Sequence, residues 1–428
     1  FRYTEQNGST GFKLNGEPMK LKGVCMHHDQ GSLGAEANRR AIERQVEILQ
    51  EMGCNSIRVT HNPAADELIE ICNEKGMLVI EEAFDGWMYN KNTNTQDYAN
   101  WFAKAVEEDN KIIGGDAEPL KAFASDDILG GVSGLSWAQF DLTSMIKRGQ
   151  NAPSIIMWSL GNEIWEGAGG ENDFPKVAET LIDWAKKLDS SRPATIGDNK
   201  LKAQNPNSWA MAASLQKAGG AIGANYCNAE QYKTVHDKYP NTMLYGSETA
   251  SAINSRGVYY KADGDQSNQD LTSYDKKAVG WGAVASSAWY DIITKDYMAG
   301  EYVWTGFDYL GEPTPWNGTT GGAQGTWPSP KNSFFGIVDT AGLPKDSYYF
   351  YQSQWNEDVN TLHVLPAWNE DVVANVNGKV PVVVYSDAAS VELFFTPKGS
   401  DKKESLGKKE FTEKTTDAGY KYQIYEGE

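Results

Sequence analysis

The 428-residue sequence contains few cysteines, and they lack the close spacings that cysteine sites require. The four are Cys25, Cys54, Cys72 and Cys227, and no two of them form a Cys-x-x-Cys pair. Neither a disulfide framework nor a thiolate metal site is therefore indicated. Because Cys25 falls in an apolar segment and Cys72 in a predicted helix, we expect buried free thiols.

Three further features are scarce or missing. No apolar run is long enough to predict a membrane-spanning helix. No Gly-x-Gly-x-x-Gly opens a helix, so a dinucleotide-binding loop is not indicated. Basic residues number 39 against 58 acidic ones, which gives a formal net charge of −19. Such an excess of negative charge disfavours nucleic acid and anionic membranes as partners, although it does not bear on a neutral ligand.

The sequence begins at Phe1, within a motif and without a methionine or signal peptide. We therefore expect a piece of a larger parent chain, whose other domains would be its partners.

From residue 20 to about 357, short apolar segments alternate with segments of helical periodicity. Ile42, Val46 and Leu49 recur at helical spacing, and Gly53 and Gly76 each follow a predicted helix as a C′ residue. This rhythm favours parallel strands joined by crossover helices. The predicted strands are 20–28, 56–61, 77–83, 154–160, 194–198, 221–226, 242–247 and 301–307.

Eight such strands predict a (β/α)8 barrel over residues 20–357, with insertions such as the irregular stretch 84–135. An open doubly wound sheet is the alternative. Residues 1–19, with two Asn-Gly turns, predict a lead-in hairpin. Residues 358–428 predict the start of a small all-β domain, an immunoglobulin-like sandwich. Its predicted strands are 362–365, 382–385, 391–395 and 420–425.

One stretch, Asn151–Glu163, combines a buried strand with a polar end. The apolar run Ile155–Leu160 leads to Asn162 and Glu163, and a second strand ends similarly in Gly-Ser-Glu248. A carboxyl at the end of a buried strand is costly unless it is paired or used. An ion pair at the sheet rim would explain one of them. Two such carboxyls are the minimum equipment for hydrolysis of a glycosidic bond.

Polar residues follow or end most of the predicted strands, where the active sites of such barrels lie. Any one of them could be a core histidine or a buried ion-pair partner, but together they indicate a functional site. They are His27, His28, Arg58, His61, Glu82, Asp85, Asn162, Glu163, Asn225, Tyr226, Glu248, Trp304 and Asp308.

Several segments together make the sequence resemble the catalytic barrel of glycoside hydrolase family 2, and most closely bacterial β-galactosidases. The resemblance runs from Gly11 to about Trp355, and the tail resembles the domain that follows this barrel in many such enzymes. It is carried by LKGVCMHHD (21–29), IRVTHNP (57–63), IEEAFDGW (80–87), PSIIMWSLGNE (153–163), LYGSE (244–248), EYVWTGFDYLGEP (301–313), HVLPAWN (363–369) and VELFF (391–395).

The resemblance implies Glu163 as the general acid/base and Glu248 as the nucleophile. The two then need different protonation states, and Tyr226 and Arg58 are candidate partners that keep Glu248 charged. The carboxyls should lie roughly 5 to 5.5 Å apart, which gives retention of configuration. Residues expected to bind the sugar or orient the pair are His27, Arg58, His61, Asp85, Asn162, Tyr226 and Trp304.

The sequence departs from the family pattern at two loops. Well-known β-galactosidases carry Glu and His magnesium ligands after strand three, whereas this loop reads Phe84-Asp85-Gly86-Trp87, so we expect no magnesium and no other cofactor. The β-glucuronidases carry an Asn-x-Lys before a Gly, whereas the nearest segment here is 333–336, Ser-Phe-Phe-Gly. Without that lysine a uronic acid would bring an unpaired charge, so a neutral sugar is favoured.

These features predict a retaining exo-β-glycosidase, a β-galactosidase acting on terminal β-galactosides. The alternatives are a β-glucuronidase or β-mannosidase of the same family, or a catalytically silent carbohydrate-binding module. The family's amino-terminal sugar-binding-like domain is absent from this sequence, which bears on whether it is active alone. The charge and scattered cysteines fit a secreted or cell-surface bacterial enzyme, with a cytoplasmic location left open.

Overall fold

A computed structural model of the chain describes residues 4–7, 11–91, 97–103, 136–164, 173–260, 262, 271–312, 314, 332–369 and 373–424. Most of the predicted insertion 84–135 lies outside these residues. The chain opens with β1 (Thr4–Asn7), β2 (Gly11–Leu14) and β3 (Glu17–Met19), which form a three-stranded sheet in that order. The predicted hairpin is thus extended by one strand. Asn15 and Gly16 both have positive φ, as their turn requires.

Eight further strands are β4 (Leu21–Met26), β5 (Ser56–Val59), β6 (Leu78–Glu82), β7 (Ile155–Asn162), β8 (Ala194–Asp198), β9 (Ile222–Asn225), β10 (Leu244–Ala250) and β11 (Met298–Trp304). They close into a barrel in the order β10-β11-β4-β5-β6-β7-β8-β9. This confirms the barrel and rules out the open doubly wound sheet.

Amphipathic helices alternate with the barrel strands. In the first of them, Ile42, Val46 and Leu49 are buried as their spacing predicts, and Gly53 ends the helix in a left-handed conformation. Within the described residues the helices are α1 (Arg39–Met52), α2 (Asp66–Lys75), α3 (Trp137–Gly149), α4 (Phe174–Leu188), α5 (Pro206–Ala218), α6 (Ala229–Lys238), α7 (Ala285–Ile293) and α8 (Asp346–Trp355).

The chain divides into two compact units, of which the first comprises residues 1–8, 13–17 and 58–247. It contains β6 to β9, and every residue of β6 and β7 is buried. Strand β7 runs to Asn162, two residues beyond its predicted end, because polar Asn162 pairs with Gly197 of β8. Asn162, which directly precedes the candidate residue Glu163, is therefore part of the barrel wall.

The second unit comprises residues 9–12, 18–57 and 248–428. It contains β4 and β11, which pair in parallel with Gly300 opposite Leu21. The eighth strand was predicted at 301–307, whereas β11 begins and ends three residues earlier, at Met298 and Trp304. Glu301 consequently lies in the middle of a strand and is fully buried. The apolar residues after Trp304 misled the prediction because they belong to a loop.

The tail forms three antiparallel pairs, which confirms its all-β character. They are β12 (Leu362–Leu365) with β13 (Val383–Ser386), β14 (Ser390–Phe395) with β15 (Glu404–Glu410), and β16 (Thr412–Thr415) with β17 (Lys421–Ile424). Sequence reasoning missed β15 and β16 because their charged residues are mostly exposed. The two larger packed sheets of a sandwich are not among the described residues of this tail.

Cys25, Cys54 and Cys72 are buried thiols outside any disulfide, as predicted, and Cys227 is a half-buried one. Burial raises the pKa of Cys54 to about 12, so its thiol stays protonated and unreactive. Across the described ranges, none of the helices combines the length and the apolar character needed to cross a membrane.

Candidate active site

In the first unit, the carboxylate of Glu82 at the end of β6 collects four hydrogen bonds. Its Oε2 accepts from Arg58 Nε at 3.0 Å, Arg58 Nη2 at 2.6 Å and Ser159 Oγ at 2.6 Å. Its Oε1 lies 2.7 Å from His61 Nδ1. Burial alone would raise the pKa of Glu82, but the charges of Arg58 and His61 outweigh it and hold that pKa below its usual range.

Arg58, which is paired with this carboxylate, also holds the amide of Asn162. Arg58 Nη2 donates to Asn162 Oδ1 at 2.9 Å, and Asn225 Nδ2 donates to the same oxygen at 3.1 Å. With its oxygen occupied, the amide turns Nδ2 towards His61 Nε2, 3.4 Å away. The orientation of the Asn162 side chain is therefore set by residues from β5 and β9.

Glu163, the next residue, is held at both its backbone and its carboxyl. Its φ of 42° is left-handed, which is uncommon outside glycine. Asn225 Nδ2 donates to Glu163 Oε1 at 2.9 Å, and Ser247 Oγ donates to Asn225 Oδ1 at 2.5 Å. Tyr226, after β9, also has a positive φ of 55°. Residues held in such conformations concentrate at functional sites.

Asp85 lies on the loop after β6, with its side chain 50% exposed. Lys91 Nζ is 2.7 Å from Asp85 Oδ1. Burial would raise the pKa of Asp85, but the positive charges of His61 and Lys91 outweigh it and lower that pKa. Asp85 therefore presents an ionised carboxylate that a ligand hydroxyl can reach.

In the second unit, aromatic rings surround His27. The ring centroids of His27 and Trp304 are 5.2 Å apart at 89°, and those of His27 and Tyr309 are 4.5 Å apart at 55°. The Tyr309 hydroxyl donates to the Glu312 carboxylate. Burial, together with the charges of Glu312 and Glu248, raises the pKa of Tyr309 well above its ordinary value. This aromatic cluster offers an apolar surface with carboxylates close by.

Glu248 lies on β10, two residues before the strand ends, and is only 3% exposed. Ala250 and Ser251 follow it with φ values of 59° and 54°. The strand that carries Glu248 thus ends in one left-handed residue, Ala250, and a second, Ser251, follows it directly, a further concentration of backbone strain at a strand end.

Asp308, also predicted at a strand end, has a structural role. Lys345 Nζ lies 2.7 Å from Asp308 Oδ2, and the Gly336 N–H donates to Asp308 Oδ1 at 2.8 Å. Burial raises the pKa of Asp308 despite the neighbouring Lys345. Its carboxylate is engaged by the Lys345 ammonium and the Gly336 amide, so the ion-pair explanation applies to it.

The structure joins five of the predicted residues in one network in the first unit. They are Arg58, His61, Asp85, Asn162 and Glu163. Arg58 is fully buried and donates to Glu82, Asn162 and the Ser247 carbonyl, so it supports the site from beneath. The second unit holds His27, Trp304 and Glu248. A role for Arg58 or Tyr226 beside Glu248 stays a prediction.

Sequence reasoning assigned no role in the site to four residues that the structure makes central. Glu82 and Asn225 were recognised only as polar strand ends. Tyr309 lay in the segment after Trp304, where its aromatic character gave a weak signal. Lys91 gave none, because its contact with the Asn162 carbonyl joins residues 71 positions apart in the chain.

Comparison with known proteins agrees with this architecture. The family described as "Glycosyl hydrolases family 2, TIM barrel domain" matches residues 7–322. Beta-galactosidase BoGH2A of Bacteroides ovatus is 35% identical over 91% of this chain and 44% of its own length. A beta-glucuronidase of Bacteroides fragilis is 23% identical over 85% of this chain and 45% of its own.

Among solved structures, a beta-glycosidase from Bacteroides vulgatus superposes with a TM-score of 0.71 and 28% identity. The superposition covers 99% of this chain and 48% of the Bacteroides vulgatus chain. The chain spans less than half the length of these relatives. The match of the family over most of the chain, together with the closed eight-stranded barrel, places this chain in glycosyl hydrolase family 2.

Proposed function

We propose that this chain is the catalytic barrel of a retaining exo-β-glycosidase, a β-galactosidase that removes terminal β-galactosyl groups. One observation carries the proposal. A closed parallel barrel bears a glutamate directly after β7, its carboxyl held by Asn225, and a second, buried glutamate near the end of β10. The carboxyl ends of parallel strands open at the same end of a barrel, where active sites lie.

Glu163 is the proposed general acid/base and Glu248 the nucleophile. The Glu248 carboxylate attacks the anomeric carbon while Glu163 gives its proton to the departing glycosidic oxygen. The bond to the aglycone breaks as the glycosyl–enzyme ester forms. Glu163 then takes a proton from water, which attacks the same carbon and releases Glu248. Two inversions give retention, and we expect the carboxyls roughly 5 to 5.5 Å apart.

The sugar itself would be held by hydroxyl contacts and an aromatic surface. Asn162, whose amide nitrogen lies 3.4 Å from His61 Nε2, would donate to a sugar hydroxyl from that nitrogen. Trp304 and His27 form an edge-to-face pair on which an apolar sugar face can rest. The proposed binding residues are His27, His61, Asp85, Asn162, Tyr226 and Trp304, with Arg58 supporting them from beneath.

Two observations support a neutral sugar. The Glu312 carboxylate, hydrogen-bonded to Tyr309, lies against the aromatic cluster and would repel a uronate. The buried ammonium of Lys345 is already engaged by Asp308 and the Asn254 carbonyl, so it does not offer a positive charge to the carboxylate of a uronate. The relative that is 35% identical is named a beta-galactosidase. The second candidate is a β-glucuronidase, which the name of the Bacteroides fragilis relative favours; a β-mannosidase is a third.

The test is hydrolysis of matched nitrophenyl β-galactoside, β-glucuronide and β-mannoside by the full-length parent and by its Glu248→Gln variant. We expect turnover of the galactoside alone, reduced at least about 1,000-fold by the substitution. Turnover of the glucuronide instead would support the second candidate. Binding of galactosides without hydrolysis of any substrate would mean that the chain is a carbohydrate-binding module.

We also propose that catalysis needs no magnesium. The loop after β6 does not fit such an ion, because its Asp85 carboxylate is already paired with Lys91. Within the described ranges, no three His, Cys, Asp or Glu side chains are grouped to hold a metal. We expect activity to stay within about 2-fold after dialysis against EDTA, and addition of magnesium to restore nothing. A loss that magnesium reverses would contradict this proposal.

A further inference from the structure

Lys91 joins the loop after β6 to the end of β7. Its side chain is only 11% exposed, and its ammonium lies 2.7 Å from Asp85 Oδ1. The same ammonium donates to the backbone carbonyl of Asn162 at 2.9 Å. The stem of Lys91 passes over Gly86, where an added Cβ would lie 3.5 Å from Lys91 Cε. A lysine thus brings a buried positive charge to the strand that leads into Glu163.

The carbonyl that Lys91 contacts belongs to the peptide group between Asn162 and Glu163. The N–H of that same peptide group, on Glu163, donates to the Gly197 carbonyl at 2.9 Å. The peptide plane is therefore held from both sides, by Lys91 at its oxygen and by β8 at its nitrogen. This plane sets the left-handed φ of 42° at Glu163, which the residue would not adopt readily by itself.

The direction of the Glu163 side chain depends on this backbone. From the left-handed conformation its carboxyl reaches Asn225 Nδ2 at 2.9 Å. Asn225 also donates to Asn162 Oδ1 at 3.1 Å, so the carboxyl and the amide share one anchor. A rotation of the Asn162–Glu163 peptide would carry the carboxyl away from that anchor.

We propose that Lys91 is a positioning residue for the acid/base Glu163, holding the Asn162–Glu163 peptide in the orientation that protonation of the leaving group requires. This inference rests on the proposed function. Lys91 acts through the backbone and through Asp85, and does not touch the substrate. The positive charge of its ammonium holds the Asp85 carboxylate and the Asn162 carbonyl together.

The test measures how the effect of Lys91→Met depends on the leaving group. The full-length parent is assayed with dinitrophenyl, nitrophenyl and methyl β-galactosides. A dinitrophenolate departs without proton donation, whereas a methoxide needs it, and positioned general acids contribute about 100- to 10,000-fold. We expect kcat/KM for the methyl glycoside to fall about 10- to 100-fold, and that for the dinitrophenyl glycoside to stay within about 3-fold.

Three further variants sharpen this comparison. Lys91→Arg keeps a cation and should recover most of the activity on the methyl glycoside. Lys187→Met removes a lysine from another Asp–Lys pair, on α4, where Lys187 Nζ lies 2.6 Å from Asp183, and should behave as wild type. Glu163→Gln should show the same leaving-group dependence as Lys91→Met, only stronger. An equal loss on all three glycosides would overturn the inference, because it would indicate a merely structural role.

A crystal structure of Lys91→Met tests the inference without relying on activity. We expect the Asn162–Glu163 peptide to rotate and the Glu163–Asn225 hydrogen bond to break. An unchanged peptide and hydrogen bond would overturn the proposal, whatever the enzyme hydrolyses. If Lys91→Met does not fold, as judged by its thermal unfolding, Lys91→Gln serves the same purpose. If wild type hydrolyses no glycoside, the proposed function fails while the structural test still decides the role of Lys91.

Discussion

Glu82 illustrates how one buried carboxylate can order a whole group of side chains. Its two oxygens accept from Arg58, His61 and Ser159, and both Glu82 and Arg58 have fully buried side chains. Such a pair contributes little net stability while intact, because desolvation offsets most of the attraction. Breaking it leaves one charge buried without its partner, which is strongly unfavourable.

We predict that Glu82→Gln lowers the free energy of unfolding by about 3–5 kcal/mol, because Arg58 would keep its charge without a carboxylate. Urea unfolding at pH 7 measures the loss, with the exposed Glu230→Gln as the control, expected to change stability by less than about 0.5 kcal/mol. A loss below about 1 kcal/mol in Glu82→Gln would show that the pair is not electrostatically important.

The same residue predicts a pH dependence. The pKa of Glu82 lies below its unfolded value of 4.5, so its stabilising effect is present above that pH. It is lost as the pH falls through the lowered pKa, where the folded carboxylate takes up a proton. Wild type should therefore lose more stability below about pH 4.5 than Glu82→Gln does. Parallel unfolding curves for the two proteins in acid would disagree with this.

At the scale of elements, two glycines that end helices differ in a way that local sequence does not show. Gly53 after α1 and Gly76 after α2 both adopt a left-handed φ, at 93° and 74°. A Cβ on Gly76 would meet nothing within 4 Å. A Cβ on Gly53 would lie 2.5 Å from the Asn356 nitrogen, just past the end of α8. Gly76 is therefore required by its backbone conformation alone, whereas Gly53 is required by packing as well.

We predict that Gly76→Ala destabilises the chain by about 1 kcal/mol, the cost of a left-handed alanine. Gly53→Ala should cost about 1–3 kcal/mol more, because the added methyl also collides with backbone. Thermal unfolding of the two variants gives the comparison directly, each serving as the control for the other. Equal losses would mean that α8 moves away at no cost.

Strand β11 carries a second element-scale feature, the fully buried Glu301. Thr249 Oγ1 donates to Glu301 Oε2 at 2.6 Å. Burial nevertheless raises the pKa of Glu301 to about 8. In the folded chain this carboxyl is therefore protonated at neutral pH, whereas in the unfolded chain it ionises above about 4.5.

Because the folded pKa is the higher one, this group favours folding below pH 4.5 and loses that contribution as the pH rises towards 8. The slope is at most about 1.4 kcal/mol per pH unit. Glu301→Gln, which cannot ionise, should remove this slope and stabilise the chain at pH 8 by at least about 1.4 kcal/mol. Urea unfolding between pH 5 and 8 measures both; an unchanged slope in the variant would contradict the assignment.

At the scale of the whole chain, the net charge of −19 on these 428 residues bears on the proposed preference for a neutral substrate. A strongly negative protein repels anionic ligands over distances set by the ionic strength, about 10 Å at 0.1 M salt. A neutral galactoside experiences no such repulsion, whereas a glucuronide does.

We therefore predict that kcat/KM for a neutral galactoside changes by less than about 2-fold between 20 and 300 mM sodium chloride. Any residual turnover of a glucuronide should rise over the same range as its repulsion is screened. Steady-state kinetics with the full-length parent provides both numbers, and an equal salt response of the two substrates would argue against a charge-based preference.

The amino-acid sequence by itself determined the barrel, its order of strands and helices, and the placement of Glu163 and Glu248 at strand ends. Hydrophobic periodicity and helix-ending glycines are signals that span only about ten consecutive residues, so each element can be recognised from its local sequence. The prediction failed where the local signal was ambiguous, as in the displaced eighth strand and the charged strands β15 and β16.

Only the tertiary structure decided how the site is held together. Glu82 as the centre of the network, Lys91 on the Asn162 carbonyl and the contact of Tyr309 with His27 all join residues far apart in the chain. So does the close approach of Asn356 to Gly53. These contacts depend on which loops and helices meet after folding, and no periodicity in the sequence specifies that. The sequence thus fixes which residues reach the strand ends, while the packed structure fixes which of them hold one another.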